Sequence, residues 1–108
     1  MLVVWRGVEP RLRTLVLVAA GLDESAPEEV DAFNYAPRVR MPVLMINGRY
    51  DFSHPFDTSQ QPLFRTLGTP AANKRRVVLD SGHVPPWPDV VRETLDWLDR
   101  YLGPVATR

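Results

Sequence analysis

Apolar residues along the chain concentrate in three short segments separated by polar, proline-containing stretches. The first two, at residues 15–21 and 42–48, are almost continuously apolar, and the third, at residues 74–80, begins with basic residues. Continuous apolar runs of about four to eight residues are typical of strands covered on both faces. We therefore expect three strands, of which the first two are fully buried.

Helical patterns lie beside and between these segments. Residues 1–14 predict the end of a helix, and residues 22–36 predict a polar, acidic loop. Residues 57–68 predict a short helix, with Thr58 and Gln61 in a capping-box pattern. The last helix is predicted to begin near Pro88 and to end at Gly103. An apolar stripe with i, i+4, i+7, i+11 spacing predicts its core-facing side: Val91, Leu95, Leu98 and Leu102.

Strands that alternate with helices predict right-handed crossovers and a parallel sheet. The fold class is therefore α/β: a three-layer fragment with a short, mostly parallel sheet of about three strands between helices. The length of 108 residues suits a single domain spanning the whole chain.

Composition excludes several classes of function. Thirteen basic residues balance thirteen acidic ones, so neither a nucleic-acid partner nor an anionic membrane surface is expected. The absence of cysteine excludes disulfides, thiol nucleophiles and cysteine-based zinc sites. No apolar run approaches the roughly 18 residues of a membrane helix, and a cytoplasmic location is expected. No cofactor motif is present, so we expect no cofactor.

Two candidate catalytic residues follow neighbouring strands. Asp51 comes shortly after the second strand, and His83 comes shortly after the third. Because the carboxyl ends of parallel strands open on the same sheet edge, we expect the two side chains to meet there. A carboxylate that accepts a hydrogen bond from one imidazole nitrogen leaves the other nitrogen free to act as a general base. The alternatives are that Asp51 only caps a turn and that His83 is a structural loop histidine. Gly82 is predicted to let the loop turn sharply at His83.

The order of these motifs resembles the C-terminal part of the α/β-hydrolase fold. The order is a strand, NGRYD, Pro55, a short helix, a strand, DSGH and the terminal helix RETLDWLDRYL. It is most similar to prolyl-oligopeptidase-like and dienelactone-hydrolase-like members, strongly over residues 42–102 and loosely before them. The resemblance implies that Asp51 is the acid and His83 the base of a Ser-Asp-His triad.

The chain departs from this family in its nucleophile. The family's serine lies in a G-x-S-x-G elbow ahead of both partners, and this sequence has no such motif. The serines present have no glycine-flanked elbow around them: Ser25, Ser53, Ser59 and Ser81. The expected domain is therefore a partial α/β-hydrolase domain without the half that carries the nucleophile and the oxyanion-hole donors.

The remaining candidates have weaker patterns. His54 is expected to be exposed or to line the mouth of a pocket. Four side chains could form a metal site, but their spacing matches no ligand motif: Asp51, His54, Asp57 and His83. The tryptophans are expected to pack in the core or against helices, with Trp87 also a candidate for a pocket wall: Trp5, Trp87 and Trp97.

The expected function is that of a C-terminal segment of a serine hydrolase, acting on carboxylic ester or peptide bonds once completed by a preceding part. The isolated chain is expected to be inactive or nearly so. The alternative is a non-catalytic interaction module that forms a homodimer through the exposed edge of the first strand.

Overall fold

Three parallel strands form one sheet in the computed structural model, which describes residues 12–22 and 32–103. The strands are β1 (Leu15–Val18), β2 (Val43–Gly48) and β3 (Lys74–Leu79), in the order β1-β2-β3. The parallel pairing confirms the predicted sheet, although β1 ends earlier than predicted because Ala19 leaves the extended conformation with φ 59°. All three carboxyl ends therefore lie at the same edge.

Helical segments connect the strands. After β1 come α1 (Ala32–Tyr35) and a 3-10 turn (Ala36–Arg38), within the stretch predicted as a loop. After β2 come a π-helical turn (Phe56–Gln60), α2 (Gln61–Thr66) and a 3-10 turn (Ala71–Asn73). The last element is α3 (Trp87–Leu102). The predicted N-terminal helix end, Trp5 and Ser25 lie outside the described residues.

The core lies on both faces of β2, whose six residues are all buried. Alternate side chains of this strand join different apolar clusters because successive side chains point to opposite faces. One cluster includes Val43 and Met45 with Leu63 of α2, and the other includes Leu44 and Ile46 with α3. Of the two strands predicted to be fully buried, β2 is, whereas β1 retains partly exposed side chains.

The predicted core-facing stripe of α3 is wrong for two of its four residues, since Val91 and Leu98 are half-buried but Leu95 and Leu102 are exposed. The structure buries Val90 and Trp97 instead, whereas Leu95 is 58% exposed and Leu102 is 47% exposed. The indole Nε1 of Trp97 donates a hydrogen bond to Thr14 Oγ1 at 2.9 Å, and this contact anchors the tryptophan face toward β1. The predicted ends of the helix are confirmed, with Pro88 in its first turn and Gly103 at φ 81° after its last residue.

The predicted capping box is also wrong. Helical structure begins at Phe56, directly after Pro55, and no side chain caps it. Thr58 is therefore inside the first turn and exposed, whereas the next two residues, Ser59 and Gln60, are buried. Within the described residues, no helix combines the length and apolar character needed to cross a membrane.

Candidate active site

Asp51 and His83 meet at the carboxyl edge of the sheet. The parallel register pairs Gly48 with Leu79, so the loops after β2 and β3 leave the sheet side by side. His83 Nδ1 lies 2.8 Å from Asp51 Oδ2, a short hydrogen bond between residues 32 positions apart. The predicted proximity of the two side chains is confirmed.

Each carboxylate oxygen of Asp51 has its own partners. Oδ2 contacts the imidazole, and Oδ1 accepts backbone N–H hydrogen bonds from Ser53 at 2.8 Å and His54 at 3.1 Å. The side chain of Asp51 is fully buried, whereas the side chain of His83 is 48% exposed. From the sequence, capping a turn and binding the imidazole were alternative roles for Asp51. In the structure its carboxylate has both roles.

These contacts set the charge of Asp51. Burial by itself would raise the pKa of Asp51, but the hydrogen bond from His83 and those from the backbone of His54 and Ser53 lower it, and the net pKa lies below the ordinary value. The carboxylate is therefore ionised at neutral pH and can only accept hydrogen bonds. It follows that His83 Nδ1 carries the proton, so in the neutral imidazole Nε2 is an acceptor on a half-exposed ring.

A close backbone approach holds the two loops together. A Cβ added at Gly48 would overlap the carbonyl oxygen of Gly82 and lie 2.5 Å from that of Ser81. The backbone N–H of Tyr50 also donates to the Ser81 carbonyl at 3.0 Å. The prediction for Gly82 is wrong, because an added Cβ there would meet nothing within 4 Å. Of Gly48 and Gly82, the close approach of the two loops therefore requires glycine at position 48.

A second layer of polar contacts supports the loop after β2. Gln60 is fully buried, and its Nε2 donates to the carbonyl oxygens of Gly48 at 2.8 Å and His54 at 2.7 Å. Its Oε1 accepts a hydrogen bond from Arg76 Nη2 at 2.9 Å. No role was predicted for Gln60 from the sequence. The capping-box pattern of Thr58 and Gln61 placed the start of the helix at the wrong residues.

His54 packs beside His83, with ring centroids 5.8 Å apart and an angle of 42° between the ring planes. The Oγ of Ser59 lies 3.2 Å from His54 Nδ1 and donates to the carbonyl oxygen of Leu22 at 2.6 Å. His54 is partly buried at the site, not fully exposed.

Other sequence candidates are less involved. Among the serines that the structure describes, none forms a hydrogen bond with His83; Ser59 is buried and Ser53 is exposed. Asp57 is exposed, and the described residues include no group of three or more side chains arranged to hold a metal ion.

Exposed apolar side chains flank the pair. Phe52 is 98% exposed next to Asp51, and Val84 is 82% exposed next to His83. Tyr50 and Trp87 are also largely exposed. The predicted core packing therefore holds for Trp97 but not for Trp87.

The solved structures most informative for this arrangement are those of a cold-adapted esterase from an Arctic intertidal metagenomic library. Its native and zinc-bound structures each match with 26% identity and a TM-score of 0.73, covering 90% of this chain and 42% of the esterase chain. Its polyethylene-glycol-bound structure matches with 26% identity and a TM-score of 0.72, covering 89% and 39%. This chain has part of an esterase-like α/β-hydrolase fold.

The esterase-like fold confirms the predicted fold class. The resemblance to prolyl-oligopeptidase-like and dienelactone-hydrolase-like members stays a prediction. No protein-family model matches the chain, and no curated protein matches it significantly. The chain spans about two-fifths of the esterase that it matches, 42% in the native structure.

Proposed function

We propose that the chain contributes the acid and the base of a serine-hydrolase triad that cleaves carboxylic ester or peptide bonds. The observation that carries the proposal is the 2.8 Å hydrogen bond from His83 Nδ1 to the fully buried carboxylate of Asp51. The esterase neighbours favour the ester class over the peptide class. In this function Asp51 orients the ring and stabilises the imidazolium that forms during the reaction.

The chemistry falls on His83 Nε2. This nitrogen would take the proton of a serine hydroxyl as the hydroxyl attacks the carbonyl, and would return it to the leaving alkoxide. It would then take a proton from the water that attacks the acyl-serine, and would return this proton to the serine oxygen as the carboxylic acid leaves. The side chain of His83 is half exposed, whereas that of Asp51 is fully buried, so in this proposal the imidazole and not the carboxylate meets the serine, the substrate and water.

In the proposed enzyme the serine and the oxyanion-hole donors come from a segment of the same polypeptide ahead of this chain. Two observations support this: the sequence has no G-x-S-x-G motif, and the chain covers only 42% of the esterase. By itself, the chain is then expected to hydrolyse esters no faster than a solvent-exposed histidine does.

The decisive experiment is to determine the coding sequence upstream of the Met1 codon in its native context and to express the extended reading frame. We expect a strand followed by G-x-S-x-G, and hydrolysis of p-nitrophenyl butyrate. His83→Ala and Asp51→Asn should lose at least about a thousandfold in kcat, and the exposed Asp80→Asn should retain activity. A stop codon without such a segment, or full activity in His83→Ala, would contradict the proposal.

The apolar side chains around the pair are proposed to contact the substrate in the complete enzyme. Phe52 lies on the loop after β2 and is 98% exposed, and Trp87, the first residue of α3 after the loop that carries His83, is 73% exposed. We expect Trp87→Ala to raise KM for butyrate esters more than for acetate esters. Equal changes for both substrates would show that Trp87 does not contact the acyl chain.

A second candidate function is that of an interaction module. In the part of the chain that the structure describes, β1 pairs only with β2, so its other edge has no neighbouring strand, and Val18 is 43% exposed there. An open edge can pair with a second copy. Light scattering after size exclusion should then show a dimer that dissociates in Val18→Lys. A monomer at high concentration would exclude this candidate.

A further inference from the structure

The two histidines of the site are held in the same tautomer. Ser59 has one hydroxyl proton, and its 2.6 Å contact with the Leu22 carbonyl shows where that proton goes. The Oγ therefore accepts from His54, so Nδ1 of His54 carries the proton. His83 Nδ1 carries its proton toward the ionised Asp51. Both neutral rings are left with an unprotonated Nε2.

We propose that His54 and His83 together bind a divalent transition-metal ion through their Nε2 atoms, with water completing the coordination shell. The ring centroids lie 5.8 Å apart. Two imidazoles bound to the same Zn²⁺ with Zn–N distances of about 2.0–2.1 Å have ring centroids roughly 5–6 Å apart at tetrahedral or wider angles. The observed centroid spacing falls in this range.

The surroundings of both rings resemble those of metal-binding histidines. Such residues almost always donate their other ring N–H to a carboxylate, a backbone carbonyl or a water molecule, which fixes the tautomer and makes the free nitrogen a better ligand. His83 has Asp51 in this role at 2.8 Å, and His54 has Ser59 at 3.2 Å. The buried negative charge of Asp51 also favours a cation at the neighbouring ring.

Two protein ligands make a weaker site than the three or four ligands of catalytic and structural zinc sites. The ion would nevertheless occupy the lone pair that His83 needs as a general base. Metal binding and the proposed catalysis therefore exclude each other. The metal site needs neither a serine nucleophile nor an oxyanion hole, so it stands or falls independently of the proposed hydrolase function.

The test uses the untagged 108-residue chain and ZnCl₂ alone, in a buffer that does not bind zinc. Calorimetry should show one ion per chain. In ¹⁵N spectra of the imidazoles, Nε2 of both histidines should shift, and both Nδ1 atoms should stay protonated. His54→Gln and His83→Gln should each weaken binding at least about tenfold, and Ser59→Ala should weaken it severalfold. Asp57→Asn, which removes an exposed carboxylate three residues after His54, serves as the control and should bind zinc as tightly as the parent chain does.

Several results would overturn the proposal. If only one imidazole responds to zinc in the parent chain, the site is not shared. If His54→Gln binds zinc as tightly as the parent chain, His54 is not a ligand. Circular dichroism and tryptophan fluorescence, to which the buried Trp97 contributes, check that each variant is folded. If a variant does not fold, the ¹⁵N spectra of the parent chain with zinc show whether both histidines bind the ion.

Discussion

Asp51→Asn isolates the contribution of one buried charge. The asparagine oxygen can still accept the two backbone N–H groups that now contact Oδ1. Its NH₂ group then faces Nδ1–H of His83 across the former 2.8 Å contact, so two donors oppose each other. We expect the imidazole to move its proton from Nδ1 to Nε2, which would turn the proposed base nitrogen into a donor.

The expected loss of stability follows from the hydrogen bonds involved. A hydrogen bond to a charged group contributes about 1.5–3 kcal/mol to the free energy of unfolding. The buried carboxylate favours the upper end, but water reaches the ring of His83, which is 48% exposed. We therefore expect Asp51→Asn to lower the free energy of unfolding by about 1.5–2 kcal/mol at pH 7.

The assay is urea unfolding followed by tryptophan fluorescence, together with ¹⁵N spectra of the imidazole. Asp80→Asn is the matched control. Asp80 accepts a 3.3 Å bond from Arg49, but its side chain is 81% exposed, so the loss should stay below about 0.5 kcal/mol. Equal stability of Asp51→Asn and the parent chain at pH 7, or an unchanged Nδ1–H tautomer, would refute the reasoning.

The pH dependence gives a second check with a defined sign. The pKa of Asp51 is lower in the folded state than in the unfolded state, where it is about 3.9. Its stabilising contribution is therefore fully present above about pH 5 and is lost as the pH falls through the folded-state pKa. The difference in stability between the parent chain and Asp51→Asn should shrink as the pH falls below about 4. A difference that persists unchanged at pH 3 would contradict the assigned pKa direction.

Three further predictions test the support of the site and the core. Gly48→Ala should lower the free energy of unfolding by about 2 kcal/mol or more and shift the His83 ring signals, because the added Cβ overlaps the Gly82 backbone, whereas Gly82→Ala should have little effect on either quantity. Gln60→Ala should lower the free energy of unfolding by about 2–4 kcal/mol in urea, because the carbonyl oxygens of Gly48 and His54 and the guanidinium of Arg76 each lose a hydrogen bond. A loss below about 1 kcal/mol would show that water replaces the amide. Val90→Ala should lower the free energy of unfolding by about 1–2 kcal/mol because Val90 is buried, and Leu95→Ala should lower it by less than about 0.5 kcal/mol because Leu95 is exposed. A larger loss for Leu95→Ala would show that Leu95 faces the core, as the sequence predicted.

Much of the fold could be read from the sequence because it depends on local patterns. Apolar runs of strand length marked β1 and β2, and proline and glycine marked the two ends of α3. Parallel topology then brought Asp51 and His83 to one edge, since the carboxyl ends of parallel strands open together. That inference needed only the order of the elements and the positions of the two residues.

The tertiary structure decided which side chains face which neighbours. The sequence predicted an apolar stripe on α3 that includes Leu95, but the structure buries Trp97, whose indole donates a hydrogen bond to Thr14, and leaves Leu95 exposed. The requirement for glycine at position 48 arises from a backbone 34 residues away, at Gly82, and the contacts of Gln60 join three separate segments. Such choices depend on distances between parts of the chain that are remote in sequence, and no local pattern encodes them.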